Sequence, residues 1–147
     1  MVERILVICV GNICRSPMGE VLFQDRLKAQ VPMVQVSSAG LGGLVGHPAD
    51  PFALELMQER GLDLSLHQAA QATPARLFAA EIIFTMTAGQ QKDIECSLSS
   101  LRGRVHRLGH WGGYDIPDPY RRPKEAFQHA LTLIEQGVLD WCEKLWN

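Results

Sequence analysis

Residues 3–9, ERILVIC, form an unbroken apolar, β-branched run that stops at a cysteine, and VGNICRSP follows at once. A strand with one wetted face alternates apolar and polar side chains. A continuous run belongs to a strand covered on both faces, as in parallel sheets. Beyond it the chain alternates helix and strand. A helix is predicted over 16–30, with Ser16 as N-cap, Pro17 in the first turn, and Val21, Leu22 and Leu27 in the core. VQVSS (34–38) reads as a second strand, ended by Ala39-Gly40 and the glycine-rich LGGLVG. Asp50-Pro51 opens a helix to about Arg60 with Gly61 as its C-cap, and Thr73-Pro74 opens a shorter one.

EIIFTMT (81–87) is a third strand, residues 88–97 read as helical, and RVHRLG (104–109) is a weaker fourth strand. A long amphipathic helix follows from about Pro123 to Leu145, with Phe127, Leu131, Ile134, Val138, Trp141 and Leu145 along one side. Strands alternating with helices imply an α/β fold, a mainly parallel sheet covered on both faces by right-handed crossovers. In such folds the ligand sits outside the carboxyl ends of the strands. With 147 residues and no linker, repeat or low-complexity segment, the chain 1–147 is expected to form one domain.

The formal net charge of −2, without runs of like charge, argues against a nucleic-acid partner. No apolar stretch approaches the ~20 residues that span a bilayer, so no membrane insertion is expected. MVERILVICV carries an acid and a base and enters the core directly, with no signal peptide visible. A cytoplasmic location is the expectation. Of the four cysteines, Cys96 and Cys142 have no partners at zinc-ligand spacing and read as small buried hydrophobes.

The other two, Cys9 and Cys14, flank the strand-to-helix turn. Backbone N–H groups of Val10, Gly11, Asn12, Ile13 and Cys14 can converge there on one centre, at the positive end of a helix dipole. Gly11 and Asn12 are types that tolerate unusual dihedrals. Arg15, five residues beyond Cys9, would close the ring with a planar guanidinium suited to a phosphate oxyanion. Thiols facing such positive fields ionise near neutral pH, and a thiolate facing phosphorus is a nucleophile for phosphoryl transfer. That chemistry also needs an acid to protonate the leaving group. Asp118, between Pro117 and Pro119, is the candidate, with Asp115 its nearest competitor.

CVGNICRSP resembles the phosphate-binding loop of the low-molecular-weight protein tyrosine phosphatases. The likeness continues through SSAG (37–40), Asp50-Pro51, His67 and IPDPYR (116–121), and so covers essentially the whole chain. SAGLGGLVG and LGHWGGYDIPDPYR are similar to the bacterial branch associated with exopolysaccharide and capsule, whose members oppose tyrosine autokinases. The resemblance implies a three-layer sandwich with four parallel strands in the order 2-1-3-4. It also implies a cysteinyl-phosphate intermediate on Cys9, release of inorganic phosphate, and phosphotyrosine proteins, a tyrosine autokinase among them, as partners. No metal or organic cofactor is implied.

By the same resemblance Asn12 is the loop's strained residue, held by Ser16, Ser38 and His67, while Ser16 also donates to Cys9. Leu44 and Tyr120 would flank the mouth; eukaryotic members tend to carry an aromatic in the place of Leu44. The family usually has an arginine three residues after the histidine, where HQAAQ has Ala70. Cys14 is expected either to fill the loop or to trap an oxidised Cys9 as a reversible disulfide. Trp111, Trp141 and Trp146 read as packing residues.

Three other readings compete. A thioredoxin-coupled arsenate reductase would need closely spaced cysteines late in the chain, where only Cys96 stands before the tail. A phosphoarginine phosphatase resembles CTGNTCRS, with threonine where this chain has Ile13; an apolar side chain suits an aryl ester better than a guanidino group. A pure phosphate-binding module needs neither a thiolate nor an acid.

Overall fold

A computed structural model describes residues 2–146. The elements run β1 (Arg4–Cys9), α1 (Arg15–Leu27), β2 (Gln35–Gly40), α2 (Pro51–Glu59), α3 (Pro74–Ala79), β3 (Ile82–Thr85), α4 (Ala88–Ser97), β4 (Val105–Arg107) and α5 (Lys124–Trp146), with a 3-10 turn at Ser99–Leu101. The four strands are all parallel and lie in the order β2-β1-β3-β4. β1 is central, pairing Cys9 with Gly40 on one side and Ile5 with Ile82 on the other.

Five of its six residues are buried, because both faces are covered. Ile5, Val7 and Cys9 pack with α1, α2 and α5, whereas Leu6 and Ile8 pack with α3 and α4. On the first face Phe23 of α1 stacks on Phe84 of β3 with centroids 5.1 Å apart, and Phe84 meets Trp141 of α5 at 4.9 Å. Each such fully buried aromatic stabilises by about 1.5–3 kcal/mol. These layers fix the end of β1, and with it Cys9.

Several element ends differ from expectation for local reasons. α1 starts at Arg15, its N-cap is Cys14, and no side chain caps it. Ser16 is therefore inside the first turn, its hydroxyl engaged elsewhere. Pro17 occupies a first-turn position whose N–H would have no intrahelical acceptor. The inward stripe of α1 runs Arg15, Gly19, Phe23, Leu27 at i+4 spacing, with Met18 beside it, while Val21 and Leu22 are only partly buried. β2 continues through Gly40 rather than stopping at Ser38.

β3 is shorter than EIIFTMT. The Glu81 carboxylate accepts from the N–H groups of Glu3 and Arg4, and Thr87 turns away to cap α4 through Gln90 N. Asp50 and Thr73 cap α2 and α3 as expected, and Gly61, with φ of +73°, sits just past the Arg60 C-cap. Cys142 is buried, but Cys96 is exposed on α4, contrary to its reading as a core residue.

Candidate active site

The loop from Cys9 to Cys14 is held from outside by its carbonyls. Cys9 O accepts from Leu41 N (3.0 Å), Val10 O from Gly42 N (2.9 Å), Gly11 O from Leu44 N (3.0 Å) and Ile13 O from Asp50 N (2.8 Å). Asn12 O is bonded to His67 Nε2 at 2.6 Å, and since a carbonyl only accepts, Nε2 carries the proton. Across a trans peptide the following N–H points opposite to the carbonyl, and the chain has no cis bonds among the described residues. Five outward carbonyls therefore turn the N–H groups of residues 10–14 away from their anchors. The N-terminus of α1 adds its own donors with no side-chain cap over them.

Behind the loop Asn12 is fully buried with φ of +60°. Its Nδ2 donates to Ser16 Oγ (2.8 Å) and Ser38 Oγ (2.9 Å), and its Oδ1 accepts from Ala70 N (2.8 Å). The expected partners are all present, with Asn12 as donor to both serines. Ser38 in turn donates to Glu20 Oε1 at 2.5 Å. Burial pushes the Glu20 carboxyl above its ordinary range, against the Ser38 bond that lowers it. Ser16 Oγ, already accepting from Asn12, lies 2.9 Å from Cys9 Sγ, so its own proton is available to the sulfur. That is the direction that stabilises a thiolate.

Arg15 is 2% exposed. Its Nη1 donates to Ile116 O at 2.7 Å and its Nη2 lies 3.7 Å from Asp118 Oδ2. Its buried Nε has no acceptor among the described residues, which leaves the Nε–Nη2 edge able to grip an oxyanion by two parallel bonds. Asp118 is half-exposed, with Oδ1 held by Tyr120 N at 3.1 Å. Asp115 is committed elsewhere: its Oδ1 accepts from Ala88 N and Arg107 Nη1, both at 3.0 Å.

Cys9, Val10, Gly11, Ile13, Cys14, Arg15, Leu44, Asp118 and Tyr120, together with Gly42, line one cavity of about 150 Å³. Every candidate at the loop and mouth thus faces one space except Asn12 and Ser16, which stand behind it with Ser38 and His67. Burial first, then the Asp50 carboxylate and Cys9, push the Cys14 thiol far above its ordinary value, against the pull of Arg15.

Sequence reasoning missed Glu20, whose signal was its i+4 spacing from Ser16 on one helix face. Gln71 was missed as well; its amide spans Gly43 N and Leu41 O, both at 2.8 Å. Ala70, the departure from the family pattern, acts through its backbone, donating to Asn12 and accepting from Gly40 N at 2.9 Å.

Gly40, at the end of β2, lies against the loop backbone. A Cβ there would stand against Val10 O and 3.0 Å from Asn12 N, in the path of the loop itself. Gly40→Ala is expected to cost about 1–3 kcal/mol by overpacking, lowering the thermal midpoint by about 3–10 °C. It should also lower kcat/KM about tenfold or more by displacing the loop. Unchanged melting and kinetics would show that the loop yields freely.

Residues 4–147 match the family described as low molecular weight phosphotyrosine protein phosphatase. The chain is 43% identical over 145 residues to the probable low molecular weight protein-tyrosine-phosphatase EpsP of Ralstonia solanacearum, covering 99% of this chain and 97% of that protein. Among solved structures, Vibrio vulnificus Wzb in complex with benzylphosphonate is similar with a TM-score of 0.91 and 41% identity, over 99% of this chain and 100% of that one. The YwlE arginine phosphatase from Geobacillus stearothermophilus is also similar, with a TM-score of 0.88 and 29% identity over 97% and 92% of the two chains. The chain belongs to the low molecular weight phosphotyrosine protein phosphatase family, and it is a protein-tyrosine-phosphatase.

Proposed function

We propose that the chain hydrolyses phosphotyrosine in two steps through a phosphoryl group carried on Cys9. The observation that carries this reading is the loop's hydrogen bonding: all five carbonyls from Cys9 to Ile13 are anchored outward around a buried cysteine and arginine. In the first step Cys9 Sγ attacks phosphorus, forming S–P as the bond from phosphorus to the tyrosine oxygen breaks. Asp118 gives its proton to that oxygen. The loop amides and the Nε–Nη2 edge of Arg15 hold the phosphoryl oxygens while charge redistributes. In the second step water attacks phosphorus, Asp118 takes its proton, and inorganic phosphate departs. The thiolate leaves with the Ser16 hydroxyl donating to it.

Cys14, buried and driven toward its neutral form, does not compete as nucleophile. Ile13 and Leu44 give the cavity an apolar wall and Tyr120 an aromatic rim, which suits an aryl ring. Similarity to the protein-tyrosine-phosphatases EpsP and Wzb, together with the resemblance to the bacterial exopolysaccharide and capsule branch, supports a substrate among tyrosine autokinases. Such a substrate supports a cytoplasmic location. No helix among the described residues is long and apolar enough to cross a membrane.

Turnover of peptides carrying phosphotyrosine, phosphoserine or phosphoarginine under identical conditions tests this reading. We expect kcat/KM for phosphotyrosine to exceed the others by about 100-fold or more. A preference for phosphoarginine would overturn the substrate assignment and align the chain with the arginine phosphatase it also resembles in fold.

A further inference from the structure

Among the described residues, only two non-glycine residues adopt a positive φ: Asn12 at 60° and Arg121 at 62°. Asn12 is explained by its bonds to Ser16, Ser38, Ala70 and His67. Arg121 has no such set. The left-handed region is costly for a bulky L-residue and almost free for glycine, so an arginine here keeps its side chain at the expense of backbone strain. Such an outlier at the edge of a site is a reason to look for a use.

The turn that holds it is local. Arg122 N donates to Pro119 O at 2.9 Å, reversing the chain just past Tyr120. The reversal lays the Arg121 guanidinium over the Tyr120 ring, with Cζ 5.2 Å from the centroid. Tyr120 is 41% exposed and lines the cavity mouth. The stacked guanidinium is thus part of the rim, three residues from Asp118.

The other cations near this segment are occupied. Lys124 bridges Glu55 at 2.6 Å and Glu59 at 3.0 Å, and Arg15 faces inward to Ile116 O and Asp118. Arg121 and its exposed neighbour Arg122 form no ion pair among the described residues. Arg121 therefore brings to the rim an uncommitted guanidinium oriented by an aromatic ring, and the exposed Arg122 follows it in the chain.

We infer that Arg121, with Arg122 beside it, is a specificity residue that takes a carboxylate next to the phosphotyrosine of the substrate. This rests on the phosphotyrosine reading above. An extended peptide advances about 3.3 Å per residue, so with the phosphotyrosine seated in the cavity its first and second neighbours pass over the rim. A guanidinium matches a carboxylate by two parallel bonds, and stacking on Tyr120 removes part of the ordering cost of a long side chain. The preferred substrate class is an acidic phosphotyrosine segment. A basic flank is disfavoured by the same groups.

Four phosphotyrosine peptides test this: Glu at the two positions before, Glu at the two positions after, Gln at all four, and Lys at all four. Arg121→Gly suits the dihedral and removes the whole side chain, the guanidinium included; Arg121→Lys keeps charge without the planar fork. The readout is the ratio of kcat/KM for Glu to Gln peptides within each variant, so a general change in activity cancels.

In the unaltered enzyme one Glu register should exceed Gln about three- to fivefold at low ionic strength, and the advantage should fade in high salt. Arg121→Gly should bring the ratio to about one, and Arg121→Lys should retain part of it. If the unaltered enzyme turns over the Gln peptide but shows no Glu preference in either register, the inference fails and the phosphotyrosine reading stands. A preference that survives intact in the Arg121→Gly, Arg122→Ala double variant also overturns it. Failure to hydrolyse any of the four peptides would remove both.

Discussion

Replacing the sulfur of Cys9 by oxygen, Cys9→Ser, is expected to reduce p-nitrophenyl phosphate turnover by about 10⁴-fold or more. A serine hydroxyl has no thiolate equivalent near neutral pH, and among the described residues the hydrogen-bond partner of Sγ is the Ser16 hydroxyl, not a base. The change is nearly isosteric in a site that is 2% exposed, so the fold should hold. Oxyanion binding should also persist, because the loop amides and Arg15 are anchored independently of the sulfur by Leu41, Gly42, Leu44, Asp50 and Ile116. The measurements are steady-state turnover together with inorganic phosphate binding by calorimetry. Appreciable turnover in the variant, or loss of phosphate binding with loss of activity, would contradict the assigned role.

The second large effect concerns the leaving group. Asp118→Asn removes the proton donor but leaves a hydrogen-bonding side chain of the same shape. Its contact with Arg15 is 3.7 Å and half-exposed, so little stability depends on it. For substrates with poor leaving groups, such as phenyl phosphate and phosphotyrosine, kcat/KM, which reports the first step and not the shared hydrolysis of the phosphoenzyme, should fall by about 10²–10⁴-fold. For dinitrophenyl phosphate, whose phenolate departs without help, the loss should be only a few-fold. A plot of log kcat/KM against leaving-group pKa should therefore steepen in the variant. Parallel lines, with equal losses throughout, would deny Asp118 the role of acid. Asp115 offers no substitute, because its carboxylate is occupied by Ala88 N and Arg107.

Much of this architecture was legible before the structure, where one physical pressure acted alone. ERILVIC is buried on both faces, and its apolar continuity reported that directly. Cys9 and Arg15 were legible because a phosphate nest restricts which residue types can occupy a strand-to-helix turn, and Asp118, indicated by the family resemblance, lines the same cavity.

The reading failed where two demands met in one residue. Ser16 has the composition of an N-cap, yet its hydroxyl serves Asn12 and Cys9, and the helix begins before it. The inner stripe of α1 opens on Arg15 and Ser16, so a search for apolar periodicity alone favoured Val21 and Leu22 over Met18 and Phe23. Gly40 was visible as a turn former but is required by the approach of the loop backbone, a tertiary fact. Ala70 looked like a defect in the family pattern because side chains are what a sequence displays; its contribution is an amide and a carbonyl.

The claim on which all of this turns is that phosphate is carried on the sulfur of Cys9. Acid quenching during turnover, followed by mass spectrometry of the digested protein, addresses it directly. One added phosphoryl group is expected on the peptide containing Cys9, formed within the first turnover and absent from Cys9→Ser. A phosphoryl group on any other residue, or full turnover with none on the protein, would contradict it.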